Sequence, residues 1–172
     1  WMIFSLLEGL LCMGWSEAVV YHWPRLEGRA RAGMVWRLHA LLAVLGLVLA
    51  AGLILGAPAL ADWYGTPRLL GDLSLFALYA FFSFPTLAIN SILLSAGRTR
   101  TVATLAFAST VLETAAVLVP LVLGLGLTEI LWALAAYAAL RFAACVALAW
   151  SVAGPGWEAP GALSDLTWFS LP

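Results

Sequence analysis

Residues 38–61, with the sequence LHALLAVLGLVLAAGLILGAPALA, contain no Asp, Glu, Lys or Arg. A helix needs about 20 mostly apolar residues to cross the hydrocarbon core of a bilayer. This run therefore predicts a transmembrane helix, and the composition extends that prediction to the whole chain. Apolar residues make up 64% of it and charged residues 10%, whereas a soluble domain carries roughly 25% charged residues. We expect the chain to fold in membrane lipid.

Four further apolar segments are long enough to cross a bilayer. The predicted fold class is therefore all-α, a polytopic transmembrane helix bundle of about five spans. Residues 154–172 are predicted to form a cytoplasmic linker that leads into another span, because the chain ends on WFSLP. We also expect the chain to be part of a longer membrane protein. The five predicted spans are residues 1–21, 38–61, 73–96, 101–123 and 130–153.

The connecting loops differ in their arginine content. The loop GLGLTE has no basic residue, and DWYGTPRLLGD has only Arg68. The other two loops, HWPRLEGRARAGMVWR and GRTR, contain several arginines. Basic loops stay on the cytoplasmic side of a membrane, so the first and third loops and the tail are predicted to be cytoplasmic. The arginines of these two loops are Arg25, Arg29, Arg31, Arg37, Arg98 and Arg100.

Arg141 lies in the middle of the last predicted span. About 15 Å of helix separates it from the span end near Ser151, and its side chain reaches only about half that distance. An unpaired arginine at this depth costs at least about 2.5–3.5 kcal/mol. Glu113, on the preceding span, lies at nearly the same depth if the two helices form an antiparallel hairpin. We predict a Glu113–Arg141 ion pair; the alternative is a separate aqueous or protein partner for each residue.

Other polar residues within the spans follow helical spacing. Ser109 and Thr110 share the face of Glu113, and Glu8 lies near the centre of the first predicted span. Polar side chains in a membrane helix face other helices or water. We therefore predict a shared cavity, although each hydroxyl could instead bond to nearby backbone. The third span contributes one stripe of candidate cavity residues, Tyr79, Ser83, Thr86 and Asn90.

Several smaller features bear on packing and on ligands. Pro85 and Pro120 are predicted to kink their helices, and the small-residue spacing of GLILG at Gly52–Gly56 predicts close helix packing. Metal binding is not expected, because His22 and His39 have no acidic or cysteine cluster around them; we expect no cofactor. The net charge of −1 argues against nucleic acid as a partner.

The order of motifs resembles the oligosaccharide flippases, the polysaccharide biosynthesis exporters of the multidrug/oligosaccharidyl-lipid/polysaccharide superfamily. The resemblance rests on SEAVVYHWPRL, PALADWYGTPRLL, FALYAFFSFPTLAINSILLSAGRTRTVATL, LGLGLTEILWALAAYAALR and DLTWFSLP. It implies the second to sixth helices of roughly twelve to fourteen, in two bundles around a cavity that opens alternately to either face of the membrane. The remaining helices of the transporter would then be partners of this segment.

The resemblance also implies a function. The protein would be a flippase and not an enzyme, located in the bacterial inner membrane. Its cargo would be an undecaprenyl-diphosphate-linked oligosaccharide for polysaccharide biosynthesis, such as lipopolysaccharide. Arg141 would contact the anionic cargo, and Glu113 would hold Arg141 in the empty state.

Three other functions remain open. A drug or ion exporter of the same superfamily could use Glu8 and Glu113 as cation-coupling carboxylates. A membrane-embedded glycosyl or acyl transferase would need an acid, a base or a metal near the interface. A structural membrane subunit would leave the charged residues within the spans unexplained. The loops offer a transferase only scattered side chains, Asp62, Asp72, His22 and His39.

Overall fold

The computed structural model describes the backbone of residues 15–154 and the side chains of residues 18–154. Within this range all regular structure is helical, which confirms the all-α prediction. Four of its helical segments are long and apolar enough to cross a bilayer, so the chain is a multi-pass membrane protein. The helices are α1 Trp15–His22, α2 Gly28–Tyr64, α3 Leu69–Ser83, α4 Ile89–Ser95, α5 Thr99–Val122 and α6 Leu127–Ala153.

The membrane-spanning helices coincide with four of the five predicted spans. Helices α3 and α4 together form one of them, Leu69–Ser95. The predicted first span, residues 1–21, lies mostly outside the described residues, and α1 covers only its end. The predicted linker at residues 154–172 also lies almost entirely outside them. These two predictions therefore stay predictions.

Helix α2 is much longer than the predicted span, with 37 residues. The sequence predicted a loop up to Arg37, but the helix already begins at Gly28, so that loop prediction is wrong beyond residue 27. Arginine, alanine and methionine are good helix formers, and the side chains of Met34 and Val35 are buried in the bundle. The Arg31 guanidinium also donates to the Leu26 carbonyl at 2.7 Å, which fixes the turn before the helix.

Pro85 interrupts the third predicted span, as the sequence indicated. Helix α3 ends at Ser83, a 3₁₀ turn covers Phe84–Thr86, and α4 begins at Ile89. Proline has no N–H to donate, so the regular hydrogen-bond ladder breaks. The Thr86 hydroxyl donates to the Ser83 carbonyl at 2.7 Å and satisfies one of the freed groups. Pro120 lies close to the C-terminal end of α5 and does not interrupt it.

Helix α2 packs closely against the C-terminal end of α3 at Gly46. A Cβ atom there would lie 3.0 Å from Phe84 Cβ and 3.1 Å from the Phe81 carbonyl oxygen. The predicted close packing at Gly52 and Gly56 is wrong for the described part of the chain, because nothing lies within 4 Å of a Cβ built at either residue. Small-residue spacing alone does not say which face of a helix meets a neighbour.

Hydrogen bonds between sequence-distant residues define the two ends of the bundle. At one end Trp36 Nε1 donates to the Gly154 carbonyl at 3.0 Å, and Arg98 donates to Ser151 Oγ at 2.8 Å. At the other end Thr128 Oγ1 donates to an Asp72 carboxylate oxygen at 2.9 Å. The first and third loops and the start of the tail therefore share one end, which we call the arginine end; the other two loops share the opposite end.

Candidate functional site

A polar cavity of about 210 Å³ lies between α4, α5 and α6. Arg141, near the middle of α6, and Glu113, in the central part of α5, both line it. Both residues are half-buried. Charged groups at this depth are tolerated only when they face protein or water. The full lining is Asn90, Leu105, Ala106, Ser109, Thr110, Glu113 and Arg141.

The direct Glu113–Arg141 ion pair predicted from the sequence is wrong. Within residues 15–154, no Glu113 oxygen lies within 4.0 Å of an Arg141 nitrogen, although both side chains line the same cavity. The Tyr79 hydroxyl of α3 instead donates to Glu113 Oε1 at 3.3 Å. Glu113 and Arg141 do reach the same cavity, as expected from their similar depth in the hairpin. Rotation about the helix axes, which decides the direction of each side chain, does not follow from residue number.

Three buried polar atoms in the cavity wall or close to it make no hydrogen bond within the described part of the chain. They are Arg141 Nε, Asn90 Oδ1 and the Tyr137 hydroxyl. A buried polar group without a partner costs about 1–3 kcal/mol, and most such groups are paired in folded proteins. These three atoms are therefore available to a ligand or to water.

Tyr137 was not among the residues predicted from the sequence. It precedes Arg141 by four positions, so it shares the same face of α6, and it lies close to Ser109, Glu113 and Arg141. Its side chain is almost fully buried. The i, i+4 spacing to a mid-span arginine was the signal that could have identified it.

The predicted stripe on the third span divides into two parts. Asn90 lines the cavity, and Tyr79 reaches it through its hydrogen bond to Glu113. Thr86 is fully buried and bonds to the backbone at the proline turn, so the backbone alternative holds for it. Ser83 is also buried, and its carbonyl accepts that bond. Neither Ser83 nor Thr86 lines the cavity.

An open groove of about 450 Å³ runs along the exposed face of α5 next to the cavity. Thr110 and Glu113 line both spaces, and the groove continues over Thr114, Val117 and Leu118. Glu113 and Thr110 therefore form the border between a polar cavity and a mostly apolar groove.

The remaining candidates stand apart from this site. Glu8 lies outside the described residues. No group of three or more His, Cys, Asp or Glu that could hold a metal ion occurs among residues 15–154. His39 is buried in α2, and its Nδ1 lies 2.9 Å from the Val35 carbonyl. Cys145 is buried and unpaired as a thiol.

Comparison with known proteins found no relative. No protein-family model, no curated protein and no solved structure matches this chain.

Proposed function

We propose that this chain forms part of a transporter that flips an undecaprenyl-diphosphate-linked oligosaccharide across the bacterial inner membrane. The observation that supports it best is the mid-span cavity, which contains a guanidinium without an ion-pair partner in the described part of the chain. A permanent positive charge in this position is costly, and such residues mark ligand sites or transport pathways.

The chemistry of the cavity suits a glycosyl phosphate. Arginine binds phosphate oxygens through charge-assisted hydrogen bonds, so Arg141 would take the anionic part of the cargo. Asn90 Oδ1 and the Glu113 carboxylate are acceptors, and sugar hydroxyls would donate to them. The apolar part of the adjoining groove, at Val117 and Leu118, is compatible with a polyprenyl chain.

The cargo is larger than the cavity, so transport would require the two spaces to join. A volume of about 210 Å³ holds roughly seven waters at about 30 Å³ each, which is less than an oligosaccharide needs. Glu113 and Thr110 stand between the cavity and the groove. Release of the Tyr79–Glu113 hydrogen bond would let α5 move away from α3, which is the kind of helix shift that transporters use.

The arginine end would face the cytoplasm. Six of the eight arginines of the chain lie at this end: Arg25, Arg29, Arg31, Arg37, Arg98 and Arg100. Positively charged segments next to a span are retained on the cytoplasmic side. In that orientation the cargo would enter from the arginine end and leave at the opposite end.

The test is export of polysaccharide by the complete transporter in cells. We expect Arg141→Ala to abolish export and Arg141→Lys to retain part of it, because lysine keeps the charge but loses the forked donor geometry. Membrane abundance of each variant should be measured in parallel. Arg68→Ala, at the exposed loop between α2 and α3, is the matched control and should export normally. Normal export by Arg141→Ala at normal abundance would contradict the proposal.

A second candidate function is cation-coupled export of drugs. Glu113 favours it, because this half-buried carboxylate borders an open groove and, among the described residues, accepts only a long hydrogen bond from Tyr79. Proteoliposomes would separate the two functions. The exporter would be supported if a proton or sodium gradient drove uptake of an organic cation and Glu113→Gln abolished that uptake. The same proteoliposomes should then not transport the lipid-linked sugar.

A further inference from the structure

The cavity has two poles of opposite charge that do not neutralise each other directly. One pole accepts hydrogen bonds and contains the Glu113 carboxylate and Asn90 Oδ1. The other donates hydrogen bonds and contains the Arg141 guanidinium. The Tyr137 hydroxyl lies close to Arg141 but outside the cavity lining. Three of these atoms are buried and have no hydrogen-bond partner among the described residues: Asn90 Oδ1, Arg141 Nε and the Tyr137 hydroxyl oxygen.

A ligand with a single charge fits only one of these poles. An anion at Arg141 would also lie close to the Glu113 carboxylate, and in a low-dielectric interior that repulsion is strong. A cation at Glu113 would meet the same problem at Arg141. A ligand with both charges satisfies both poles and adds no net charge to the interior of the membrane.

We propose that this cavity is a binding site for a compact dipolar group, an oxyanion with an ammonium a few bonds away, as in phosphoethanolamine. The oxyanion would bind at Arg141, and the ammonium at Glu113 and Asn90. The volume of about 210 Å³ suits such a group, since it equals roughly seven waters at about 30 Å³ each. This site does not depend on the proposed cargo, because it can be tested by binding alone.

The border position of Glu113 admits two sources for the group. It could be a soluble molecule, or it could be the head group of a lipid whose chains lie in the groove over Val117 and Leu118. Both sources present the same charges to the cavity, and the experiment distinguishes them.

The soluble arm measures binding of glycerophosphoethanolamine to the chain purified in detergent, by calorimetry. Glycerophosphoglycerol supplies the anion without the ammonium, and ethanolamine supplies the ammonium without the anion. We expect the dipolar probe to bind about tenfold tighter than either control. Each control lacks one of the two charged groups and therefore loses at least one hydrogen bond to a charged group of the cavity. Equal binding of the three probes would overturn the proposal.

The lipid arm measures which lipids remain bound to the chain in nanodiscs that contain equal amounts of phosphatidylethanolamine and phosphatidylglycerol. Selective retention of phosphatidylethanolamine, without binding of the soluble probe, supports the site and assigns it to a lipid. Binding of the soluble probe supports the site and assigns it to the head group alone. Failure of both arms would mean that the cavity binds water only, and would overturn the proposal.

Two variants connect either result to the cavity. Glu113→Gln and Arg141→Gln should each weaken dipolar binding by about tenfold, and Glu113→Gln should bring the anionic control level with the dipolar probe. Glu129→Gln, in the first turn of α6 and outside the cavity, should bind like the unaltered chain. Thermal unfolding of each variant would show that it is folded. Unchanged selectivity in a folded Glu113→Gln variant would overturn the dipolar site and leave the proposed flippase function, which depends on Arg141, untouched.

Discussion

The interrupted span formed by α3 and α4 and the uninterrupted helix α5 both carry polar residues in their central parts, but they differ in how these residues are covered. Most of the polar stripe on α3 and α4 is buried against the rest of the described chain, as at Tyr79, Ser83 and Thr86. Helix α5 buries only Pro120 within the described part of the chain. Its polar face at Thr110, Glu113 and Thr114 remains open.

This difference separates two uses of polar residues in a membrane helix. In the interrupted span Thr86 satisfies the backbone where the proline turn breaks the helix, so this part of the stripe is structural. On α5 they face a space that the described residues do not fill. Because lipid tails offer no hydrogen bonds, that space is expected to contain water or to face further polar protein surface.

The largest expected effect tests whether the open face of α5 is wet. A cysteine reacts with a maleimide as the thiolate, which requires water. In a background with Cys12 and Cys145 replaced by alanine, Thr114→Cys in nanodiscs should react with a water-soluble maleimide. Val48→Cys, on the apolar exposed face of α2, should not react. Equal protection of both positions would show that lipid covers both faces.

The next effect tests the close packing of α2 against α3 at Gly46. Gly46→Leu should lower the free energy of unfolding by about 3 kcal/mol, because the side chain would overlap Phe84 and the Phe81 carbonyl and force the helices apart. Gly52→Leu is the matched control and should be nearly neutral, because nothing lies within 4 Å of its Cβ position. Reversible denaturation in mixed micelles measures both. A neutral Gly46→Leu would mean that α2 and α3 are not in close contact.

A smaller effect is expected where the two regions meet. Tyr79→Phe removes the hydrogen bond to Glu113 and should destabilise the fold by about 1 kcal/mol, the lower end of the range because the bond is long. Tyr64→Phe, at the exposed C-terminal end of α2, should change stability little. The same denaturation measurement applies. If both variants match the unaltered chain, the hydroxyl does not tie α3 to α5.

The smallest effect concerns the arginine end. Ser151→Ala removes the hydroxyl that accepts from Arg98 and leaves the Ser151 carbonyl, which accepts from the same guanidinium at 3.2 Å. The loss should be about 0.5 kcal/mol, as expected for an exposed contact. Ser74→Ala is the control, because the hydroxyls of Ser74 and Ser151 both donate to a carbonyl of their own helix but only Ser151 also accepts from Arg98. A larger loss in Ser74→Ala than in Ser151→Ala would contradict this assignment.

The sequence predicted the helical class and four of the spans, because long apolar runs have few alternatives to a membrane helix. It also placed Arg141, Glu113 and Asn90 at one site, since depth along a helix follows directly from residue number. Rotation about each helix axis does not follow in that way. For this reason the Glu113 carboxylate turned out to accept from Tyr79, Tyr137 was missed, and Gly46 rather than Gly52 lies at the helix contact.

The length of α2 has a consequence for how the protein sits in its membrane. At 1.5 Å per residue its 37 residues extend about 55 Å, while a hydrocarbon layer is about 30 Å thick. Spans tilt by at most about 40°, which is too little to absorb the excess. The first turns of α2, with Arg29 and Arg31, therefore project beyond the acyl chains into the head-group region.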